Sequence, residues 1–133
     1  DVGRFVEGAQ AAYTMILEAF WKGDKEELKS LCDEDVYESF VEVIDAREER
    51  GEILENQLVR IDSARISAAE YRRPVARITV QFDADIAAVV KDKKGNLIGG
   101  SLSDAAETHD VWTFSRDLSS ADPNWLLDET DEA

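Results

Sequence analysis

Apolar residues in the first part of the chain recur at spacings of three and four, which is the period of an amphipathic α-helix. Between Gly3 and Lys22 the apolar positions are Phe5, Ala9, Ala12, Ile16 and Ala19, widened by Tyr13, Leu17 and Phe20. We expect Gly23 to end this helix, because glycine adopts the left-handed conformation of a helix C-terminus at little cost. The pattern predicts a first helix packed on an apolar surface.

Two further helices are predicted before residue 51. Asp24 with Glu27 three residues later fits a capping box, in which both side chains satisfy free backbone N–H groups. Asp35 with Glu38 repeats the pattern. We therefore expect the helix to break near Cys32 and to restart at Asp35.

The period then changes from 3.6 to 2, which is typical of strands. Residues 57–69 predict one strand, with a bulge near Asp62 and Ser63, where the inward-facing parity switches. A longer strand follows Pro74. Its apolar face contains Ala76, Ile78, Val80, Phe82, Ala84, Ile86, Ala88 and Val90. The intervening positions are mostly polar, so one face should be buried and the other wet.

The remaining residues predict short antiparallel strands. The elements are a hairpin turn at 92–96, a return strand from Leu97 interrupted by Gly99-Gly100, a strand at 108–116, a turn at 122–124 and a strand at 125–127. Residues 128–133 are predicted to be a frayed acidic tail. The order of elements favours one α+β domain over residues 1–133, in which N-terminal helices pack on a curved antiparallel sheet and leave a cavity.

Charge restricts the partners. The chain has a net charge of −15, which disfavours a nucleic-acid partner. Residues 1–56 hold 16 acidic and 6 basic residues, residues 57–100 hold 5 and 8, and residues 101–133 hold 9 and 1. A basic centre between acidic ends fits either oriented contacts with anionic lipid or partners, or a solvated surface.

No apolar run is long enough to span a membrane. The chain lacks an initiator Met, so we expect a domain from a longer protein.

Few residues offer reactive chemistry. His109 is the single histidine, and Asp83 or Asp85 on a neighbouring strand is its candidate partner for acid–base chemistry. Asp110 and Arg116 share the parity of the inward aromatic residues of their strand. Cys32 is expected to be a buried apolar residue. No ligand spacing indicates zinc, no cofactor is predicted, and no residue is assigned as catalytic.

Four segments resemble a known family: residues 5–24, 35–40, 110–117 and 122–127. They are similar to the C-terminal domain of the mitochondrial inner-membrane import-motor tether, the forty-four-kilodalton translocase subunit, in its bacterial-type branch. The resemblance implies a nuclear-transport-factor-two-like cone. The mitochondrial member of this family binds cardiolipin-containing membrane and links the translocation channel to a DnaK-type chaperone.

The resemblance implies a non-enzymatic, membrane-proximal binding or tethering domain. We expect it on the cytoplasmic or matrix-equivalent side of an inner membrane, with a membrane surface, a membrane-bound complex, a lipid or a chaperone-linked protein as partner. The residues predicted to line a hydrophobic cleft are Phe20, Trp21, Phe40, Phe82 and Trp112. Those predicted to contact anionic lipid are Arg72, Arg73, Lys91, Lys93 and Lys94. An isomerase or dehydratase of the cone superfamily and an oligomerisation module are the alternatives.

Overall fold

Three helices open the fold in a computed structural model that describes residues 1–133. They are α1 (Val2–Lys22), α2 (Lys25–Leu31) and α3 (Glu34–Glu49). Gly23 ends α1 at a φ of 75°, as predicted. The Asp24 carboxylate accepts a hydrogen bond from the Glu27 N–H, but the predicted capping box is incomplete, because the Asp24 N–H donates to the Ala19 carbonyl at 2.8 Å.

The predicted start of α3 at Asp35 is wrong. Asp33 caps this helix, since its Oδ1 accepts a hydrogen bond from the Val36 N–H at 3.0 Å. Asp33 has the extended backbone of an N-cap residue, whereas Asp35 already lies in the first turn. Two acidic residues spaced by two offer the same capping signal, and the backbone selects the first of them.

Seven antiparallel strands follow and form two sheets. They are β1 (Ile53–Leu54), β2 (Gln57–Arg72), β3 (Val75–Ala87), β4 (Val89–Lys91), β5 (Leu97–Gly100), β6 (Ala106–Asp117) and β7 (Leu126–Glu132). The large sheet has the order β2-β3-β6-β7 and the small one the order β1-β4-β5. The register of β2 shifts between Ile61 and Ser63, as the parity switch predicted, and again at two other places.

The long alternating strand is divided where the chain passes between the two sheets. Val80, Phe82 and Ala84 are buried as predicted, but the buried parity then shifts to Ala87 and Val89. Ala88, expected to face inward, is exposed. The shift occurs because β3 ends at Ala87 and β4 begins in the small sheet at Val89.

The Gly99-Gly100 pair does not interrupt the return strand, because both residues belong to β5. Gly100 has a φ of 79°, and a Cβ there would lie 1.8 Å from the Ala88 carbonyl oxygen. Only glycine fits at this position, where the backbone of β5 lies close to the connection between β3 and β4.

Residues 128–133 are not a frayed tail. Residues up to Glu132 belong to β7 and pair with β6, with Thr130 opposite Trp112 and Glu132 opposite Asp110. The N–H of Ala133 donates to the carbonyl of His109 at 3.1 Å. Backbone pairing orders this segment, while the acidic side chains remain largely solvated.

The core lies between the helices and the concave face of the large sheet. Tyr13 of α1 is fully buried and stacks on Phe82 of β3 with ring centroids 4.2 Å apart. Cys32 is buried at the end of α2, as predicted, and the N–H of Asp33 donates to the carbonyl of Leu127 at 2.9 Å. The helices are therefore fixed to the sheet at the middle of α1 and at the start of β7.

Arg47 connects α3 to the end of α1. Although it lies in a charged run, it is only 5% exposed. Its Nη2 donates to the carbonyls of Phe20 and Trp21, the latter at 2.9 Å, and its guanidinium lies 5.0 Å from the Phe20 ring centroid. The last carbonyls of a helix lack partners within the helix. The Phe20 carbonyl also accepts from the Gly23 N–H at 3.2 Å, whereas Arg47 is the donor to the Trp21 carbonyl.

We predict that Arg47→Met lowers the free energy of unfolding by about 2–3 kcal/mol, because two carbonyl acceptors lose a charged donor. Chemical denaturation of the wild type and the variant measures this difference. Arg50→Met is the matched control, since Arg50 is exposed and pairs only with Glu52. A surface pair is worth about 0–1 kcal/mol. Equal losses in the two variants would contradict the assigned role of Arg47.

Candidate functional site: an aromatic cleft with an acidic edge

An open cleft of about 560 Å³ lies between the C-terminal half of α1, α3 and the adjoining ends of β6 and β7. We call it the aromatic cleft. Its lining residues are Ile16, Leu17, Phe20, Trp21, Phe40, Asp110, Trp112, Thr130, Asp131 and Glu132. The rings of Phe20 and Phe40 contact each other across α1 and α3, with centroids 5.1 Å apart.

Four of the five residues predicted to line a hydrophobic cleft lie here: Phe20, Trp21, Phe40 and Trp112. Phe82 does not, because it is 0% exposed and its ring is covered by Tyr13. Strand alternation correctly placed Phe82 on the concave face. It did not show that α1 crosses the sheet directly above it.

The edge of the cleft is acidic. Asp110 of β6 and Asp131 and Glu132 of β7 line it beside the aromatic residues. Asp110 was predicted to face inward, and it does. Asp131 and Glu132 were not predicted at this edge, because residues 128–133 were expected to be a frayed tail. These two residues instead belong to β7, which is held in place by its pairing with β6.

Asp110 is tied to the core. The Tyr13 hydroxyl donates to Asp110 Oδ2 at 2.6 Å. Burial raises the pKa of Asp110 above its usual range, and the hydrogen bond from Tyr13 opposes part of that rise. Burial, and then the bond to Asp110, raises the pKa of the Tyr13 hydroxyl, which therefore stays protonated at neutral pH.

His109 lies on the other face of the sheet, away from the aromatic cleft. Its Nδ1 is 2.6 Å from Asp83 Oδ1, so Asp83 is the one of its two candidate partners that it contacts. Ser63 and Arg65 also donate to Asp83. The bond to Asp83 raises the pKa of His109, and the same bond is the largest cause that lowers the pKa of Asp83 to about 2. The cluster is solvent-exposed and pairs charges on the outer sheet face.

The basic residues predicted to contact lipid do not form one surface. Arg72 and Arg73 lie at the β2–β3 turn, whereas Lys91, Lys93 and Lys94 lie in or next to the β4–β5 hairpin. Strand β3 separates the two groups and spans about 40 Å at 3.3 Å per residue. Lys91 also pairs with Glu55, with the charged atoms 2.7 Å apart. Arg72 pairs with Glu70, whereas the exposed hairpin lysines Lys93 and Lys94 form no ion pair and lie near the exposed apolar Leu97 and Ile98.

The remaining predicted inward residue, Arg116, lies outside the aromatic cleft, in a pocket beside the N-terminal half of α1.

None of the three helices is both long enough and apolar enough to cross a membrane.

Comparisons with known proteins agree with this architecture. The crystal structure of the intermembrane space region of the chloroplast protein ARC6 has a TM-score of 0.60 to this chain at 11% sequence identity. The match covers 96% of this chain and 95% of that chain, which shows a shared fold. No curated protein sequence matches the chain. The family model described as the Tim44-like domain matches residues 1–132, and the protein thus belongs to the Tim44-like domain family.

Proposed function

We propose that the protein is a non-enzymatic, membrane-proximal binding or tethering domain that holds an apolar, basic segment of a partner protein in the aromatic cleft. The observation that carries the proposal is the placement of four aromatic side chains beside three carboxylates in one open cleft. The Tim44-like family, which is related to a membrane-associated import tether, supports a tethering role.

The aromatic half of the cleft supplies binding surface. Tryptophan and phenylalanine bury large areas at low entropic cost and dominate many interfaces. Trp21 is only half-buried at the rim, so a partner side chain can cover it without disturbing the core. Trp112 forms the floor and is fixed by Tyr13, with ring centroids 4.6 Å apart.

The acidic half selects the charge of the partner. Asp110, Asp131 and Glu132 lie at the edge of the cleft in a chain of net charge −15. An anionic lipid headgroup would be repelled there, whereas lysine or arginine side chains would be attracted. The cleft therefore favours a basic protein segment over a lipid.

Contact with the membrane is assigned instead to the β4–β5 hairpin. Lys93 and Lys94 are exposed at its turn, and the neighbouring Leu97 and Ile98 are 60% and 56% exposed. Apolar side chains next to lysines suit the interface of an anionic bilayer, in which the chains enter and the ammonium groups meet phosphates. The hairpin lies far from the β2–β3 turn, so this contact needs neither Arg72 nor Arg73.

One observation favours the enzyme alternative. Asp110 is a carboxylate of raised pKa at the edge of a cleft, which is typical of a general base. Against this, Tyr13, whose hydroxyl contacts Asp110, is fully buried with its ring packed on Phe82 and Trp112, and it does not line the cleft. The pair fixes α1 to the sheet, so we assign it a structural role.

We predict that Trp21→Glu weakens binding of a helical Leu/Lys-rich peptide about tenfold or more, because the loss of the aromatic contact at the rim outweighs the attraction of the added carboxylate for the lysines. Fluorescence anisotropy of the labelled peptide measures the dissociation constant. Met15→Glu is the matched control, since Met15 is exposed on α1 and lines neither cleft nor pocket. A peptide with Glu in place of Lys should bind far more weakly than the basic one. Equal affinities for the two peptides would contradict the proposed partner.

Replacing Lys93 and Lys94 together by Gln should weaken binding to phosphatidylserine-containing vesicles about 30-fold, because each lysine near the surface contributes about 1 kcal/mol. Vesicle co-sedimentation at low salt measures the partition coefficient. The double replacement of Arg72 and Arg73 by Gln removes the same charge at the other end of β3 and should have little effect. If both double variants lost vesicle binding to a similar extent, the attraction would be general and electrostatic, which would contradict an oriented contact through the hairpin.

Asp110→Asn tests the titration of the cleft carboxylate. A raised pKa in the folded state means that the wild type loses stability as pH rises from about 3.8 through that pKa, where the folded protein holds the proton more tightly. Relative to the wild type, the variant should therefore become more stable between about pH 3 and pH 7. Denaturation at several pH values measures the difference, with the exposed loop variant Asp104→Asn as background. A stability difference that does not change with pH would contradict a raised pKa for Asp110 and would remove the observation that favours an enzyme.

A further inference from the structure

A second pocket, of about 720 Å³, lies beside the N-terminal half of α1, opposite the aromatic cleft. We call it the arginine pocket. Its lining residues are Asp1, Arg4, Phe5, Gly8, Ala9, Ala12, Ser30, Leu31, Phe114, Arg116, Asn124 and Trp125. They come from α1, the end of α2, the end of β6 and the segment before β7. The prediction from sequence did not include this pocket.

Its two arginines lack ionic partners. The chain has 30 acidic and 15 basic residues, and five of its arginines form ion pairs, but Arg4 and Arg116 are not among them. The Nε of Arg116 is buried and has no hydrogen-bond partner. A buried donor left unpaired costs free energy, so an acceptor supplied by a ligand would stabilise it.

Apart from Asp1, Ser30 and Asn124, the rest of the pocket is lined by apolar and small residues, and the small ones keep it open. Phe5 packs edge-on against Trp125 and Phe114, with ring centroids 5.2 Å and 6.5 Å apart. A Cβ placed on Gly8 would meet no atom within 4 Å, so this position of α1 opens onto free space. An apolar body fits between the rings and α1, with a polar head at the arginines.

We propose that the arginine pocket binds a small monocarboxylate with an apolar tail, whose carboxylate lies on the guanidinium groups of Arg116 and Arg4. Guanidinium groups bind carboxylates through two parallel hydrogen bonds. A single charge is favoured over a doubly charged phosphate head, because Asp1 lines the same pocket and Asp117 and Asp122 lie on the other side of Arg116. This site is independent of the aromatic cleft and of the proposed partner protein.

Isothermal titration with decanoate, below its micellar concentration, tests the proposal. One molecule should bind saturably per chain. Decyl phosphate should bind more weakly, and decyltrimethylammonium should not compete. Absence of saturable decanoate binding would overturn the proposal, as would equal competition by the cation. Tighter binding of decyl phosphate would overturn the assignment to a carboxylate.

Two variants locate the site. Arg116→Gln should weaken decanoate binding about 10- to 100-fold, because a charged hydrogen bond is lost. Gly8→Leu should abolish it by filling the pocket, while helix propensity at that position improves, so the fold should remain stable. Circular dichroism checks the fold of both. Trp21→Glu, in the other cleft, should bind decanoate as the wild type does. Unchanged affinity in Gly8→Leu, or loss in Trp21→Glu, would place the ligand elsewhere.

Discussion

The packing of Tyr13 against the sheet determines where the space between α1 and the sheet is open. Its ring is fully buried on Phe82 and against Trp112, and its hydroxyl donates to Asp110. Because Tyr13 lies at the middle of α1, it holds the helix down at that point and fills the concave face beneath it. Open space remains on either side, beside the two halves of the helix. The aromatic cleft and the arginine pocket are two such spaces.

The two spaces differ in charge although they share one helix and one sheet. The C-terminal half of α1 faces three carboxylates of β6 and β7, whereas the N-terminal half faces Arg4 and Arg116. A basic protein segment and an apolar carboxylate therefore suit different ends of the same domain. The β4–β5 hairpin, with Lys93 and Lys94, belongs to the smaller sheet, and none of its residues lines either space. The membrane contact that we propose for this hairpin would therefore leave both spaces free, as the proposed tethering role requires.

Sequence patterns predicted the parts of the fold that follow from local periodicity. The stripe of α1 and the alternation of β3 placed Phe20 and Phe82 on faces that meet the core, whereas Trp21 falls outside that stripe. Alternation along a strand predicts which face of the sheet a side chain occupies but not how deeply it is buried. It therefore could not predict that Tyr13 covers Phe82. The strand at 126–132 has polar side chains and is ordered by its pairing with β6, which no local signal reveals. The burial of Arg47 depends on carbonyls at the end of a different helix, and the arginine pocket depends on four separate segments.

The most direct measurement is a map of amide chemical-shift changes by NMR during titration with a Leu/Lys-rich peptide. We expect changes at residues 16–21, 110–112 and 130–132 and none at residues 4–9 or in the hairpin at 92–98, because Tyr13 separates the aromatic cleft from the N-terminal half of α1. Changes centred on residues 4–9 or on the hairpin, with the aromatic cleft unperturbed, would contradict the claim that the partner binds beside Trp21 and Trp112.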